Sequence, residues 1–298
     1  MFAEQQPAPP KKRTLRIVLW TVLIGFLVVA ALNVVGSDMD LVGEDRVALI
    51  RLEGVILDAQ QTVGDLKKYG EAPSVKAIVL RIDSPGGGVV PSQEIYEAVK
   101  RIRSKHNKTV VASMGTVAAS GGYYVAAATD RIIANPGTLT GSIGVIMETA
   151  NVEGLLKKIG VESVVIKSGQ HKDLGSPFRQ MSEGDRQILQ GVMDDVHRQF
   201  IEAVAEGRTL DLQTVRAIAD GRIFTGRQAK EAQLVDALGD LEEAIKVAAE
   251  MGGIEGEPSV VEPRRRFSIR ELLETHVFGP LPKFDWQPGV NVKYLMAY

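Results

Sequence analysis

The chain has no cysteine. That excludes disulfides, thiolate metal sites and a thiol nucleophile. Histidine is almost as scarce: His106, His171, His197 and His276 are the only four, and they stand in unrelated contexts. An imidazole-activated nucleophile therefore has little to draw on. Neither sign of charge is in excess. The formal net charge of −2 leaves no footprint for nucleic acid. There is no G-x-x-x-x-G-K-[ST] run, which excludes a phosphate loop, and no G-x-S-x-G, which weakens an α/β-hydrolase reading. What remains is a chain of 298 residues with 45% hydrophobic and 24% charged residues, enough for one large globular domain or two small ones.

The one long apolar run is at the N-terminus. Lys11, Lys12, Arg13 and Arg16 precede Ile17–Val35, which is 19 residues without a charge. That is close to the ~20 residues that a bilayer core requires. Flanking positive charge keeps residues 1–16 cytoplasmic and sends everything after about residue 36 across the membrane. A cleaved signal peptide is the competing reading. Its apolar region is usually shorter, ~7–15 residues, and ends at an A-x-A-like site. Val29-Ala30-Ala31 is a weak match, so the pattern favours an uncleaved anchor. Residues 36–45 read as a linker.

Beyond the linker, strand and helix patterns alternate. Val47–Leu52, Ala77–Asp83, Thr109–Ser113, Arg131–Asn135 and Glu162–Lys167 read as strands. A helix is expected from about Ser92, another from the Ser120 loop to Ala128. Ser182-Glu-Gly-Asp185 resembles a capping box opening a long helix. Along it Ile188, Val192, Val196, Phe200 and Val204 form a stripe expected to be buried. Further helices fall near 213–219, 225–232 and 240–251. Such alternation implies βαβ units and a largely parallel, covered sheet. From Glu262 the pattern changes, and 252–298 reads as an extended or weakly ordered tail.

Four segments could carry chemistry. Asp83-Ser-Pro-Gly-Gly-Gly88 ends a strand in a glycine run whose N–H groups could stabilise an oxyanion, or could be an ordinary turn. Ser120 stands among Ala118, Ala119, Gly121 and Gly122, small enough for a tight strand-to-helix corner. It is a nucleophile candidate or simply a helix N-cap. Lys172 lies in the polar stretch Ser168–Pro177 beside His171. Neighbours in sequence point apart, so at most one of the two faces the serine. A lysine serves as base only when neutral. Ser142, in Thr138–Gly144, could orient a lysine nitrogen or merely sit in a turn.

Taken together and in order, five segments resemble the signal peptide peptidase A family, in its short single-repeat bacterial type. They are Asp83–Gly88, the Ser120 loop, Asn135–Val145, His171–Pro177 and Gly221–Lys230, the last continuing into Leu234–Gly239. The resemblance covers roughly 46–251. It implies an α/β domain of the Clp protease/crotonase-like ββα-superhelix fold behind one transmembrane helix. It also implies a serine endopeptidase in which Ser120 is the nucleophile, Lys172 the general base and Ser142 its orienting partner. The N–H groups of Gly87 and Gly121 would be the oxyanion donors. No metal or cofactor is implied. The expected substrates are remnant signal peptides and similar unfolded apolar peptides. The expected assembly is a homo-oligomer whose active sites are shared between neighbours, and the expected location is the bacterial inner membrane, with the catalytic domain on the extracytoplasmic side. The alternatives are a related protease cutting membrane-associated proteins, a crotonase-like acyl-CoA enzyme and a non-enzymatic membrane scaffold.

Overall fold

Continuous apolar runs of β-branched residues form strands buried on both faces, and here they assemble into one mainly parallel sheet. The computed structural model describes residues 44–263 and 293–295, together with Trp20, Thr21, Ile24 and Gly25. The chain divides into two units, Met1–Glu44 and Asp45–Tyr298, and every element named below belongs to the second. The expected tail 1–16, the anchor Ile17–Val35 and most of the linker 36–45 lie almost wholly outside the described residues. Among the described residues, no helix is long and apolar enough to cross a membrane.

The first part of the domain runs β1 (Arg46–Glu53), α1 (Gln60–Glu71), β2 (Val75–Ser84), β3 (Gly86–Gly88), α2 (Val89–Lys105), β4 (Thr109–Ala119), α3 (Gly121–Ala126), β5 (Arg131–Ala134) and β6 (Leu139–Gly141). Then follow α4 (Glu153–Lys158), α5 (Glu183–Arg208), α6 (Leu212–Ile218), β7 (Ile223–Thr225), α7 (Gly226–Glu231), β8 (Ala237–Leu238), α8 (Leu241–Met251), β9 (Ser259–Val261) and β10 (Lys293–Leu295). The main sheet has the order β7-β6-β4-β2-β1-β9, with β5 beside β4 and β8 beside β5. Only the β6–β7 pair in it is antiparallel. Val47, Leu49, Ala77, Val79, Val111 and Ile133 point to one face and pack against Ala244, Ala248 and Ala249 of α8. The intervening Ala48, Ile50, Ile78 and Leu80 are equally buried, as the period-2 pleat requires of a sheet covered on both sides.

β4 is the strand that positions the site. Its first half pairs with β5 from Val111 to Met114, and its second half pairs with β6 from Val117 to Ala119. The change of partner happens at a bulge. Ile82 is opposite Met114, but Ser84 is opposite Ala118, so β4 carries two extra residues there. Asp83 fills the gap, its Oδ1 accepting from the Val117 N–H at 3.1 Å. At Gly115 a Cβ would come within 2.7 Å of the Asp83 carboxyl carbon. The bulge turns the strand and carries Ser120 to the end of both β4 and β6.

Two expectations need correction. Glu162–Lys167 is not a strand among the described residues. Val164 is 79% exposed and Ile166 98%, and β propensity without a neighbouring strand does not make a ladder. The long helix does open with the expected box, Ser182 and Asp185 capping each other's backbone N–H. Its stripe, however, is buried only at Phe200 and Val204, while Ile188 and Val192 are exposed. The helix outruns the core that its C-terminal half packs on. Among the described residues, the stretch after 251 includes two short extended strands: β9, parallel to β1, and β10, antiparallel to β3.

Candidate active site

Ser120 stands between β4 and α3 with φ 53° and ψ −117°. A positive φ is costly for a residue with a Cβ, of the order of 1–3 kcal/mol, and persists only where the surroundings enforce it. Here they do: the Ser120 N–H donates to the Gly141 carbonyl at 2.8 Å and its own carbonyl accepts from the Tyr124 N–H at 2.8 Å. The side chain is 1% exposed, and its Oγ has no hydrogen-bond partner. It does not cap α3, which removes the N-cap reading. A buried hydroxyl left without a partner costs about 1–3 kcal/mol. Strain and an idle hydroxyl thus coincide at one residue, a combination that packing alone does not reward.

The glycine run lies against this corner. Ser84 Oγ accepts from the Gly86 N–H at 3.1 Å and shapes the turn, while Ser92 Oγ donates to the Gly88 carbonyl at 2.8 Å. Gly86 has φ +98°, and a Cβ there would sit 2.7 Å from the Gly121 nitrogen. A Cβ on Gly121 would in turn meet Ser92 Oγ at 2.5 Å and the Gly87 nitrogen at 3.2 Å. The two backbones therefore touch only because both lack side chains. Ile56 pairs with this strand through the Gly86 carbonyl and the Gly88 N–H, so the intervening Gly87 N–H faces the other edge. Gly121 opens α3, where N–H groups have no intrahelical acceptor. Gly87, Gly121 and Ser120 are thus brought into one neighbourhood.

Ser142 joins them. Ala119 and Gly141 are cross-strand partners, and Ser120 and Ser142 each follow by one residue. Ser142 has φ 51° and is 8% exposed, and its N–H donates to the Arg222 carbonyl at 2.8 Å.

Lys172 is not brought to them within the chain. It lies exposed in a turn, and Ser120 Oγ makes no hydrogen bond to it. The turn itself is firmly held. Arg179 grips Asp173 with two bonds, Nε at 2.8 Å and Nη2 at 3.0 Å, and reaches Asp185 Oδ2 at 2.6 Å. Lys167 Nζ donates to Asp173 Oδ1 at 2.6 Å. These bonds, with Arg179 foremost, hold the Asp173 and Asp185 carboxyls well below the usual carboxylate range. His171 Nδ1 lies 3.3 Å from Asp185 Oδ1. The competing base is thus part of the clamp, and Lys172 is left free to project. Arg179 and Asp185 went unnoticed in the sequence as site-shaping residues; the only hint was Asp185 as the last member of the capping box.

Comparison with known proteins places these observations. Residues 102–255 match Peptidase family S49, and residues 56–139 match Clp protease. The α/β architecture is accordingly Clp protease-like. The chain is similar to a candidate protease of Synechocystis sp., 46% identical over 218 residues that make up 73% of this chain and 77% of that one. It is similar to a candidate signal peptide peptidase A of Enterococcus faecium, 41% identical over 62% of this chain and 54% of that one. It is also similar to Protease 4 of Salmonella typhi, 34% identical over 79% of this chain and 41% of that one.

Proposed function

The chain belongs to peptidase family S49, and from that premise we propose that it is a membrane-anchored serine endopeptidase whose catalytic site is completed by a second copy of the chain. Ser120 is the nucleophile, and Lys172 of the neighbouring copy is the base. The neutral amine of Lys172 takes the Ser120 proton as Oγ bonds to the scissile carbonyl carbon. The carbonyl oxygen becomes an oxyanion and accepts from the Gly87 and Gly121 N–H groups. The ammonium then returns its proton to the leaving amine, the C–N bond breaks and an acyl-enzyme remains. Water, deprotonated by the same lysine, releases the acid and restores Ser120. Ser142, one residue past the same strand pair as Ser120, orients the incoming amine. Because the base must be neutral, turnover rises from neutral to alkaline pH.

The observation that supports this most is Ser120 itself: strained, buried, without a partner for Oγ, and set against the Gly86–Gly87 and Gly121 backbones. The exposure of Lys172 on a clamped turn supports sharing between copies, since a base used within one chain would be expected at the serine. The substrates are remnant signal peptides and similar unfolded apolar peptides, and Ile17–Val35 anchors the domain on the extracytoplasmic side of the bacterial inner membrane. A fluorophosphonate probe tests the nucleophile. It should label Ser120 in the wild type and leave Ser120→Ala unlabelled, with Lys172→Ala labelled far more slowly. Labelling of any other serine would overturn the assignment.

A further inference from the structure

β4 runs in two registers. Up to Met114 it keeps step with β2, Ile82 standing opposite Met114, but beyond the bulge Ser84 stands opposite Ala118. An unbroken ladder would put Thr116 opposite Ser84. The offset therefore draws the second half of β4 back by two residues, about 6–7 Å along the strand. That shift decides what stands beside the glycine run. A Cβ on Gly86 would lie 3.1 Å from the Ala119 carbonyl oxygen and 2.7 Å from the Gly121 nitrogen, the two residues that flank Ser120. Without the offset that place would fall to Ala118, and Ser120 would lie beyond it.

Burial cannot choose between the two registers. Side chains of a strand alternate with a period of two, so a slip of one residue turns every side chain to the wrong face, but a slip of two leaves each on its own. The choice falls to polar contacts, and these gather at the bulge. Among the described residues, Gly115 and Thr116 have no register partner on β2, β5 or β6, and Val117 has one only on β6. From β2, Arg81 Nη1 donates to Ser113 Oγ at 2.9 Å and to the Met114 carbonyl at 3.1 Å, which fixes where the first register ends. Asp83 Oδ1 then accepts from the Val117 N–H at 3.1 Å. From the other side, the buried Thr138 donates its hydroxyl to the Gly115 carbonyl at 2.7 Å, and the buried Thr140 donates to the Ala118 carbonyl at 2.6 Å. The Asp83 carboxylate also fills the space that a side chain on Gly115 would need.

We infer that Asp83 is a positioning residue for Ser120, with Thr138 as its counterpart on the other side of β4: their bonds to Val117 and Gly115 lock the two-residue offset that sets Ser120 level with the glycine run. Neither side chain touches the reacting atoms. Both act through the path of β4. The inference rests on Ser120 being the proteolytic nucleophile.

The test counts active sites before it measures their rate. The full-length wild type, Asp83→Ala, Asp83→Asn and Thr138→Val are titrated to completion with a fluorophosphonate. Peptide turnover is then expressed per labelled serine, in samples that sediment as the wild type does. Loss of fold alone lowers the number of labelled sites and leaves the rate at each one unchanged. Loss of position lowers the rate at every site. Asp83→Ala should lower kcat and the labelling rate by about 10²-fold, with KM within about twofold, because a misplacement of ~1 Å suffices for that. Asp83→Asn keeps an oxygen for the Val117 N–H and should recover kcat to within about threefold of wild type, the remainder reflecting a neutral acceptor in place of a charged one. Thr138→Val keeps the shape but loses the hydroxyl, and should lower kcat by about tenfold at unchanged KM. Wild-type kcat per site in Asp83→Ala overturns the inference or, should that variant fail to assemble, wild-type kcat per site in Thr138→Val does. An Asp83→Asn variant as slow as Asp83→Ala overturns it too. Failure of the protease reading shows separately, as a wild type in which the probe leaves Ser120 unlabelled.

Discussion

The corner around Ser120 and the turn around Lys172 are built in opposite ways. Ser120 is 1% exposed and directly precedes Gly121, whose backbone would collide with that of Gly86 if Gly86 carried a Cβ. Lys172 stands in solvent, beyond a run where Val164 and Ile166 are 79% and 98% exposed. The first region is finished by its own chain: its strain is enforced by the sheet, and the Gly86–Gly87 and Gly121 backbones are already in contact. The second is organised only at its base, where Arg179 ties Asp173 to Asp185. Its apolar residues are left uncovered, a poor arrangement for a lone molecule and a reasonable one for a surface that meets another copy. On the proposed reading, one half of the chemistry would be a property of the fold and the other half a property of assembly.

The largest effects should come from the two ends of this comparison. Ser120→Ala and Lys172→Ala should each lower kcat by at least ~10³-fold, with the double variant no worse than either, because the two act in one step. Neither should destabilise the fold: Lys172→Ala, at an exposed position, should stay within about ±0.5 kcal/mol. Ser120→Ala deletes a buried hydroxyl without a partner and should be neutral or stabilising by about 1 kcal/mol. Calorimetry and peptide turnover on the same samples check both statements.

Gly86→Ala should come next. Its Cβ would meet the Tyr294 carbonyl at 2.1 Å and the Gly121 nitrogen at 2.7 Å, at φ +98°. The turn must shift, displacing the Gly87 donor, and loss of one such donor costs about 10²–10³ in kcat. A kcat within twofold of wild type would show that the glycine run is only a turn.

Arg179→Ala should act on the other region alone. It should lower turnover by about tenfold through misplacement of Lys172, while Ser120 stays correctly folded. The clamp also carries an acid signature. The Asp173 and Asp185 carboxyls titrate lower in the folded chain than in the unfolded one. Their contribution is therefore present above the ordinary carboxylate value of about 3.9 and is lost as pH falls below it. Protection of residues 169–180 against hydrogen exchange, measured relative to the intrinsic rate, should fall below about pH 4 in the wild type, and Arg179→Ala should already show weak protection at neutral pH. Exchange independent of both would mean that the turn is held by something else.

The smallest effect on stability should come from Ile166→Ser. A fully exposed side chain contributes within about ±0.5 kcal/mol, so the melting temperature should hold while sedimentation shows weakened assembly. Unchanged assembly would remove this surface from the interface.

Much of the Ser120 half was legible because it is local. Small residues at 118–122 and a strand ending in glycine each act over a few positions, and each folds as its chemistry suggests. The Lys172 half was less so. Glu162–Lys167 has strand-forming residues but no strand to pair with, and pairing is not written in propensity. The upper stripe of α5 has helical spacing without a core beneath it. Tyr294 could not have been found at all, since it meets Gly87 from the far end of the domain and no periodicity links them. The clamp was missed for a related reason: Arg179 matters by joining two carboxylates that the sequence shows only as separate charges.

The central claim, that each site takes its serine from one copy and its lysine from another, is tested most directly by co-expressing Ser120→Ala and Lys172→Ala. Each alone is inactive. If the site is shared, random pairing around a ring should restore roughly a quarter of the wild-type rate, with fluorophosphonate label only on the Lys172→Ala chains. Mixed assemblies that form but remain as inactive as either variant alone would show that serine and lysine must come from the same chain, and the account would be wrong.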